Sequence, residues 1–275
     1  MSTIEIRRFF IYLIISILAL MVIYPFFLVL LNSFKPELEI FTNFFGLPNE
    51  FRWENYRETW VEGRFSRYYI NSIVTSSLSL FLSVFFSTLL AFTMSRKNCV
   101  FRKHLFYALV VGITIPPQVS ATPLFFQVQR MGLESSLVGL ILVFIAYRIS
   151  FPSIIILSSF RSVPQELEEA ALIDGARLSS IYSQIYIPLS KSIIAASLIF
   201  NFVYIWNNFF FPLLLISDNS LKTLPIGLLQ FKGQFRNSFT NMFSGIMLIS
   251  VPLITFYFAL QKQFMKGIMS GAVKG

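Results

Sequence analysis

The chain has 275 residues, of which 55% are hydrophobic, 17% aromatic and only 13% charged, and its mean hydropathy is +0.69. This composition lies outside the range of soluble domains and indicates a protein of the lipid bilayer. The net charge of +9 does not indicate nucleic-acid binding, because the basic residues flank long apolar runs, where they orient spans and contact lipid. Cys99 and His104, each the single residue of its type, form no pattern for a disulfide or a metal site.

Six apolar windows are long enough to cross a bilayer, since a spanning helix needs about 20 predominantly apolar residues. Unbroken apolar runs favour helices over the alternating pattern of a barrel. The predicted fold class is therefore an all-α integral membrane protein with six transmembrane helices. The windows are Phe9–Leu31, Tyr69–Met94, Leu105–Gln127, Ser135–Phe160, Leu189–Ile216 and Phe239–Leu260.

The basic residues predict the orientation of these spans. They concentrate in the short connections on the side that holds both termini, which is therefore predicted to be cytoplasmic. Arg7 and Arg8 precede a 23-residue apolar run without a cleavage pattern, so the start is predicted to be a retained span rather than a removable signal. One membrane domain, 1–275, is predicted: a first span (1–31), an extracytoplasmic segment (32–68), a five-span core (69–260) with a polar cytoplasmic loop (161–188), and a cytoplasmic tail (261–275).

Three features inside the windows bear on function. Serine, threonine and alanine in the second window predict close packing against other helices, and Pro116 and Pro117 predict a break in the third. Arg148 lies within the fourth window, where a charge costs at least ~2.5–3.5 kcal/mol on insertion scales, so we expect it to face the bundle interior or water. Its side chain lines a solute path, or it forms a structural pair with another residue, or it extends to the membrane interface.

The chain carries no recognisable energy source of its own. The six windows contain no Asp or Glu, which disfavours an ion-driven carrier. No Gly-x-x-x-x-Gly-Lys-Ser/Thr loop is present, so we expect no ATP hydrolysis on this chain, no catalytic residue and no cofactor of its own. If ATP drives the protein, a partner must supply the ATPase.

The polar loop contains the segment Pro164–Pro188, whose first part predicts a short helix. Ser162 is the expected N-cap, with Gln165 reaching back to it. One face of this helix combines small and polar residues at helical spacing, and the small ones allow close approach by another surface. That face consists of Leu167, Ala170, Ala171 and Asp174. Gly175 supplies the left-handed residue that ends the helix.

A second, amphipathic helix is predicted at 177–186, with Pro188 ending or kinking it before the fifth span. Physical pattern alone leaves two interpretations of the whole loop. It lies on the membrane surface, or it binds another protein.

Three strings in this loop, Glu169-Ala170-Ala171, Asp174-Gly175-Ala176 and Ile187-Pro188-Leu189, resemble the signature loop of the membrane subunits of binding-protein-dependent ABC importers. The resemblance extends along nearly the whole chain to carbohydrate permeases of the maltose-transporter type. It is carried by Asn32-Ser33-Phe34-Lys35, Asn55-Tyr56, Asn71-Ser72, Trp206-Asn207-Asn208-Phe209 and the tail from Gly267 to Gly275. Mild departures occur at Tyr182, Ile187 and Ser192.

The resemblance implies a type I ABC importer permease fold that imports a sugar or oligosaccharide by alternating access. The implied partners are a second homologous permease, two ATPase subunits that hold ATP and Mg²⁺, and an extracytoplasmic solute-binding protein, in a bacterial or archaeal plasma membrane. The first loop helix would be the coupling helix, which transmits movement of the ATPase. The implied coupling residues are Glu169, which would pair with a basic ATPase residue, Ala170 and Ala171 in close contact, Asp174, and Gly175 in the turn.

The fifth window offers residues suited to sugar hydroxyls and ring faces. The candidates for the substrate path are Tyr204, Trp206, Asn207 and Asn208, together with Arg148. The alternative is that these side chains only pack helices.

The tail from Lys266 is predicted by its glycines to be too flexible for a helix, although the resemblance would place it near the ATPase. Alternative functions are a permease for a peptide, polyamine or other solute, or an ion-coupled carrier or channel.

Overall fold

A computed structural model describes the backbone of residues 3–96, 99–231 and 238–272, and the side chains of residues 7–96, 99–231 and 238–262. All regular structure within these residues is helical. The first eight helices are α1 Thr3–Asn32, α2 Glu37–Thr42, α3 Glu54–Val61, α4 Phe65–Ser95, α5 Arg102–Thr114, α6 Ala121–Arg130, α7 Leu137–Arg148 and α8 Ser150–Phe160. They are followed by α9 Gln165–Ile173, α10 Leu178–Ile181, a π-helix Tyr182–Tyr186, α11 Ile187–Leu189, α12 Lys191–Asn207, α13 Phe210–Leu215, a 3₁₀-helix Asn219–Leu221, α14 Leu224–Leu229 and α15 Phe239–Ala272.

Three helical stretches in the described residues are long and apolar enough to cross a membrane. They are Arg7–Asn32, Phe65–Ser95 and Phe239–Lys262. Two bent pairs qualify together: α7 with α8, bent by 43°, and Leu178–Leu189 with α12, bent by 78°. The described chain therefore holds three spans by length and composition, or up to five if each bent pair is one span.

The predicted break in the third window is confirmed. Helix α5 ends at Thr114, the prolines Pro116 and Pro117 follow, and α6 begins at Ala121. Proline removes a backbone donor and clashes with the preceding turn, so a continuous helix cannot form here.

The tail differs from its prediction, because α15 continues through Gly267 and Gly271 to Ala272. Each glycine costs a helix only about 1 kcal/mol relative to alanine, and extending an existing helix avoids the cost of nucleation. For residues 266–272, the prediction that this tail is too flexible for a helix is wrong. Residues 273–275, and the side chains from 263 onward, lie outside the described part.

The chain divides into two compact units. The first comprises Met1–Ser66 and Gly227–Val251, and the second comprises Arg67–Ile226 and Pro252–Gly275. In the first unit, most side chains of α1 between Phe9 and Phe27 are exposed, as expected of a helix whose apolar surface meets lipid rather than its own chain.

The string Asn32-Ser33-Phe34-Lys35 organises the connection that follows α1. Lys35 is fully buried, and its ammonium group donates to the carbonyl oxygens of Asn43, at 2.5 Å, and Gly46, at 2.8 Å. Asn55 donates from its amide to the carbonyls of Ser33 and Lys35. Burial lowers the pKa of Lys35, and the carboxylate of Glu39 opposes that shift. The string therefore has a structural role, because its side chains and carbonyl groups form hydrogen bonds that hold the segment after α1 together.

In the second unit, α8 packs against α5 and α12. The polar face of α4 is buried, as the second window predicted; its buried members include Thr75, Ser76, Ser79, Ser83, Ser87 and Thr88. Ser72, on the same helix, accepts a hydrogen bond from the backbone of Leu224 at 2.8 Å. Small hydroxyl side chains allow close approach and satisfy backbone groups of neighbouring segments. The prediction of close helix packing is confirmed.

Candidate functional site

Helix α9 presents most of the predicted coupling residues on the surface of the chain. Glu169, Ala170, Asp174 and Gly175 are exposed, whereas Ala171 is half-buried and packs against the core of the second unit. The surface near them is also apolar, since Leu167, Leu172 and Ile173 are exposed, Ile173 to 86%.

The start of α9 differs from the prediction. Pro164 is the N-cap and makes no side-chain hydrogen bond there, while Ser162 donates to the carbonyl oxygen of Ser159 instead. The prediction of Ser162 as N-cap is wrong, because its hydroxyl bonds back to the end of α8. Gln165 donates from its amide to Glu169 at 2.5 Å, one turn further along the helix.

Gly175 ends α9 as predicted. Its φ angle is +76°, and the amide of Ala176 donates to the carbonyl oxygen of Ala171 at 2.9 Å. Left-handed backbone closes a helix C-terminus and is easily adopted by glycine. The direction in which the chain leaves α9 therefore depends on this residue.

The sequence reasoning missed the inward side of α9. Glu168 accepts a hydrogen bond from Arg96 Nε at 2.9 Å on Oε1 and from the hydroxyl of Tyr186 at 2.6 Å on Oε2. The side chains of Arg96 and Glu168 are only 22% and 13% exposed. Glu168 lies three residues before Ala171, so helical spacing places both on the inward face, but the sequence alone did not show that this face is inward.

The second loop helix is not one regular helix. After four residues of α10 the backbone widens to the π-helix Tyr182–Tyr186, and α11 then continues through Pro188. The chain bends at Ser190 instead, where φ is −104° and ψ is 11°. The helical segment that contains Pro188 ends at Leu189 and the chain bends by 78° before α12, so the predicted end or kink before the fifth span is confirmed, two residues after Pro188.

A cavity of about 370 Å³ opens beside the inward face of α9. Its lining includes Arg96, Phe160, Arg161, Glu168, Glu169 and Tyr186. The Arg96–Glu168 ion pair therefore lies between the buried core of the second unit and this polar cavity.

A second polar cluster lies where α7 meets α8. Arg148 donates to Asn201 Oδ1 from Nε at 3.0 Å and from Nη2 at 2.7 Å. Its guanidinium carbon lies 4.1 Å from the centre of the Tyr204 ring and 5.3 Å from that of Phe151. The guanidinium thus combines an amide acceptor with aromatic faces, an arrangement that stabilises a cation in apolar surroundings.

This cluster also accounts for the bend between α7 and α8. The carbonyl oxygen of Ile149 accepts hydrogen bonds from Ser87 at 2.8 Å and from Ser153 at 2.6 Å. The amide of Asn201, which is fully buried, donates to the carbonyl oxygen of Arg148 at 3.3 Å. Side chains therefore satisfy backbone groups at the bend, as a broken helix in apolar surroundings requires.

The five candidates for the substrate path differ in their surroundings, and Tyr204 also has a side-chain hydrogen bond with Asn208. Arg148 and Tyr204 are in contact, but Trp206 is buried and packs against Tyr69 and Phe202. Asn207 is exposed, and its amide donates to the carbonyl oxygen of Val203 on its own helix.

Asn208 Oδ1 accepts from the backbone amide of Phe211 at 3.1 Å and so caps the start of α13. The structure thus gives Trp206 and Asn208 packing and capping contacts. The polar cluster around Arg148 was only partly anticipated, because Asn201 was not singled out in the sequence.

These features define an all-helical membrane protein with broken spans and an exposed polar loop, in which two short helical segments are joined by a turn. The family model described as "Binding-protein-dependent transport system inner membrane component" matches residues 83–270. The chain is 34% identical over 252 residues to the "Probable ABC transporter permease protein YurM" of Bacillus subtilis (strain 168), covering 92% of this chain and 84% of that protein. It is 31% identical over 258 residues to the "Diacetylchitobiose uptake system permease protein NgcG" of Streptomyces coelicolor, covering 93% of this chain and 85% of that protein.

The fold also matches a chain in the crystal structure of a bacterial ABC transporter involved in the import of the acidic polysaccharide alginate. The TM-score is 0.83 at 21% identity, and the match covers 96% of this chain and 99% of that chain. The present chain belongs to the family of inner membrane components of binding-protein-dependent transport systems. It is a multi-pass transport permease and not an enzyme.

Proposed function

We propose that this permease passes a sugar or oligosaccharide inward as one subunit of an ATP-driven importer. The observation that carries the proposal is the likeness to a diacetylchitobiose uptake permease, which extends over 93% of this chain. The alginate transporter, whose fold this chain shares, also handles a carbohydrate. Both relatives therefore favour a carbohydrate over a peptide or polyamine.

The complete importer would contain a second homologous permease, two ATPase subunits that hold ATP and Mg²⁺, and an extracytoplasmic solute-binding protein. The family description, which names binding-protein-dependent transport, supports the last of these partners. In the described part of the chain, no group of three or more His, Cys, Asp or Glu residues could hold a metal ion. The proposal assigns no cofactor to this chain.

The finer fold would be the type I importer permease with six spans in a bacterial or archaeal plasma membrane, with both termini cytoplasmic. Helices α1, α4 and α15 would each form one span. The broken pairs α5 with α6, α7 with α8, and α12 with α13 would form the other three. The TM-score of 0.83 along nearly the whole chain supports this assignment.

Helix α9 would be the coupling helix that contacts an ATPase subunit. Three observations support it: the exposed acidic and small residues, the exposed apolar Leu172 and Ile173, and the left-handed turn at Gly175. Exposed apolar side chains next to a polar rim are typical of a protein interface. Glu169, Ala170, Asp174 and Gly175 are the residues we assign to this contact, with Ala171 supporting it from the inner side.

The path of the solute would run beside the cluster of Arg148 and Tyr204. Arg148 is half-buried and lies against an aromatic ring, so it combines a donor-rich group with a flat apolar face. Sugars bind through both kinds of surface. Asn207 is exposed and stays a candidate for this path, while the contacts of Trp206 and Asn208 favour a supporting role.

The test is reconstitution of the chain with its partner permease, ATPase and solute-binding protein in lipid vesicles. Uptake of labelled oligosaccharides should require ATP and the loaded binding protein, and should persist when ionophores collapse ion gradients. The binding protein should retain sugars and not peptides or polyamines in a calorimetric screen. Uptake that follows an ion gradient without ATP, or a binding protein that retains only peptides or polyamines, would contradict the proposal.

A further inference from the structure

Glu168 differs from its acidic neighbours in α9 because it is turned towards the body of the chain. Its side chain is 13% exposed, whereas Glu166 and Glu169 are exposed on the surface. Each of its two carboxylate oxygens binds a different element: Oε1 accepts from Arg96 at 2.9 Å, and Oε2 accepts from Tyr186 at 2.6 Å. One side chain of α9 therefore joins three parts of the second unit.

Arg96 connects this carboxylate to α4, because it follows directly after Ser95, the last residue of that helix. Its guanidinium carbon lies 5.8 Å from the centre of the Phe92 ring on the last turns of α4. The contact combines a charge-assisted hydrogen bond with packing of the cation on an aromatic ring. Arg96 is thus held to α4 and to α9 at the same time.

Tyr186 connects the same carboxylate to the buried core. Its ring packs edge-on against Phe92, at 5.0 Å, and Phe160, at 5.2 Å, and the residue is 5% exposed. Tyr182, four residues earlier in the π-helix, shares a hydrogen bond of 2.7 Å between its hydroxyl and that of Thr88 on α4. The π-helix thus directs two tyrosines at α4, and π-helical turns often occur at functional sites.

These contacts form a mechanical link. Helices are stiff, the core around Tyr186 is close-packed, and the ion pair is mostly shielded from water, so a displacement of α9 is passed on rather than absorbed. If only apolar side chains joined α9 to its neighbours, α9 could slide over them without moving α4. Hydrogen bonds to both carboxylate oxygens set its position and direction.

We propose that Arg96, Glu168 and Tyr186 form a latch that positions the coupling helix and transmits its movement to α4. The proposal rests on the proposed function, in which an ATPase subunit moves α9. The three residues need not touch the solute or ATP. They act through the position of α9, which makes them positioning residues.

The test uses the complete importer in vesicles, with Glu168→Gln and Arg96→Gln in this chain. Uptake and ATP hydrolysis are measured together and expressed per assembled complex, so that a loss of assembly is not mistaken for a loss of coupling. We expect uptake per ATP hydrolysed to fall at least about fivefold, in the range of typical coupling free energies. Hydrolysis itself should continue, because the ATP sites lie on other chains.

A reciprocal charge exchange, Arg96→Glu combined with Glu168→Arg, should restore part of the lost coupling, since the ion pair is re-formed with its sign reversed while the contacts of Glu168 with Tyr186 and of Arg96 with Phe92 are not. Glu166→Gln is the matched control, because it removes the same charge from the same helix at an exposed position. It should leave uptake per ATP unchanged. Tyr186→Phe removes the hydroxyl, which bonds to Glu168 and also to Ser95 at the end of α4, and retains the ring packing, so it decides the matter if Glu168→Gln does not assemble.

The latch is refuted if uptake per ATP stays at the parental value in Glu168→Gln or, should that variant not assemble, in Tyr186→Phe. It is also refuted if the charge exchange fails to rescue. These outcomes differ from a failure of the proposed function. In that case the parental importer itself would show no ATP-dependent sugar uptake, whereas failure of the latch alone leaves parental uptake intact and the variants unaffected.

Discussion

Replacement of Gly175 separates backbone strain from contact with a partner. The residue has a φ angle of +76°, and a methyl group built there meets no atom within 4 Å. Gly175→Ala therefore introduces no clash within the described chain, and its cost is the left-handed backbone, about 1–2 kcal/mol for an L-residue. For a domain of this size, 1 kcal/mol corresponds to a fall in Tm of roughly 2–4 °C.

The expected result is a small loss of stability with a larger loss of transport. Thermal unfolding of the purified chain in detergent measures the first, and ATP-dependent uptake per assembled complex measures the second. If the turn touches an ATPase subunit, the added methyl group separates the two surfaces, and uptake should fall at least about fivefold. Gly175→Asn should recover part of the stability, because asparagine tolerates left-handed backbone. It should transport no better than Gly175→Ala, since its side chain is larger.

The matched control is Gly132→Ala in the turn between α6 and α7. Gly132 has a φ angle of +67° and also has open space where a methyl group would lie. Its substitution should cost about the same 1–2 kcal/mol and leave uptake near the parental value, because the proposed orientation puts this turn on the opposite side of the membrane. Equal loss of uptake in both variants, or parental uptake in Gly175→Ala, would refute the assignment of the Gly175 turn to a coupling contact.

Two further substitutions test the structural clusters. Asn201→Ala removes the acceptor of Arg148 and should destabilise the chain by about 2 kcal/mol, as expected for a lost hydrogen bond to a charged group, measured by thermal unfolding in detergent. Lys35→Met leaves two backbone carbonyl oxygens without their ammonium donor and should open residues 37–49, with a cost of about 3 kcal/mol, measured by hydrogen exchange. The matched controls are Asn207→Ala, whose amide bonds only within its own helix, and Arg57→Met, from an ion pair that is largely exposed. Each control should change stability by no more than about 0.5 kcal/mol.

Each of these two predictions has a result that would contradict it. If Asn201→Ala is no less stable than Asn207→Ala, then the hydrogen bonds at the bend between α7 and α8 do not hold Arg148. If hydrogen exchange at 37–49 is the same in Lys35→Met and in Arg57→Met, then the buried ammonium group does not organise that segment.

Much of the architecture could be predicted because its causes are local. Apolar length determines which segments suit a bilayer, and the adjacent prolines Pro116 and Pro117 remove two successive backbone donors and so favour a helix break. Gly175 could be recognised for the same reason, since left-handed backbone at a helix end favours glycine. The sequence pattern misled where one side chain had two possible hydrogen-bond partners nearby. The hydroxyl of Ser162 could cap α9 or bond back to the end of α8, and it bonds to α8.

The roles of individual polar residues depended on distant parts of the chain. Glu168 and Glu169 are adjacent and chemically alike, yet only Glu168 meets Arg96, which lies 72 residues away. Arg148 likewise depends on Asn201, 53 residues away, a residue that gave no signal in the sequence. Asn208, a candidate for the solute path, also accepts a hydrogen bond from the backbone of Phe211 at the start of α13, a contact that the sequence did not reveal.

By itself, then, the sequence determined the membrane class of this protein, the positions of its apolar runs and breaks, and the exposed loop that resembles the importer signature. Only the tertiary structure decided which side of α9 faces inward, which groups bond to the side chains of Glu168, Arg148 and Lys35, and where the loop contacts α4. The physical reason is the range of the forces. Hydrophobic length and backbone strain act over a few residues, whereas a hydrogen bond or ion pair exists only when folding brings two distant side chains within about 3 Å.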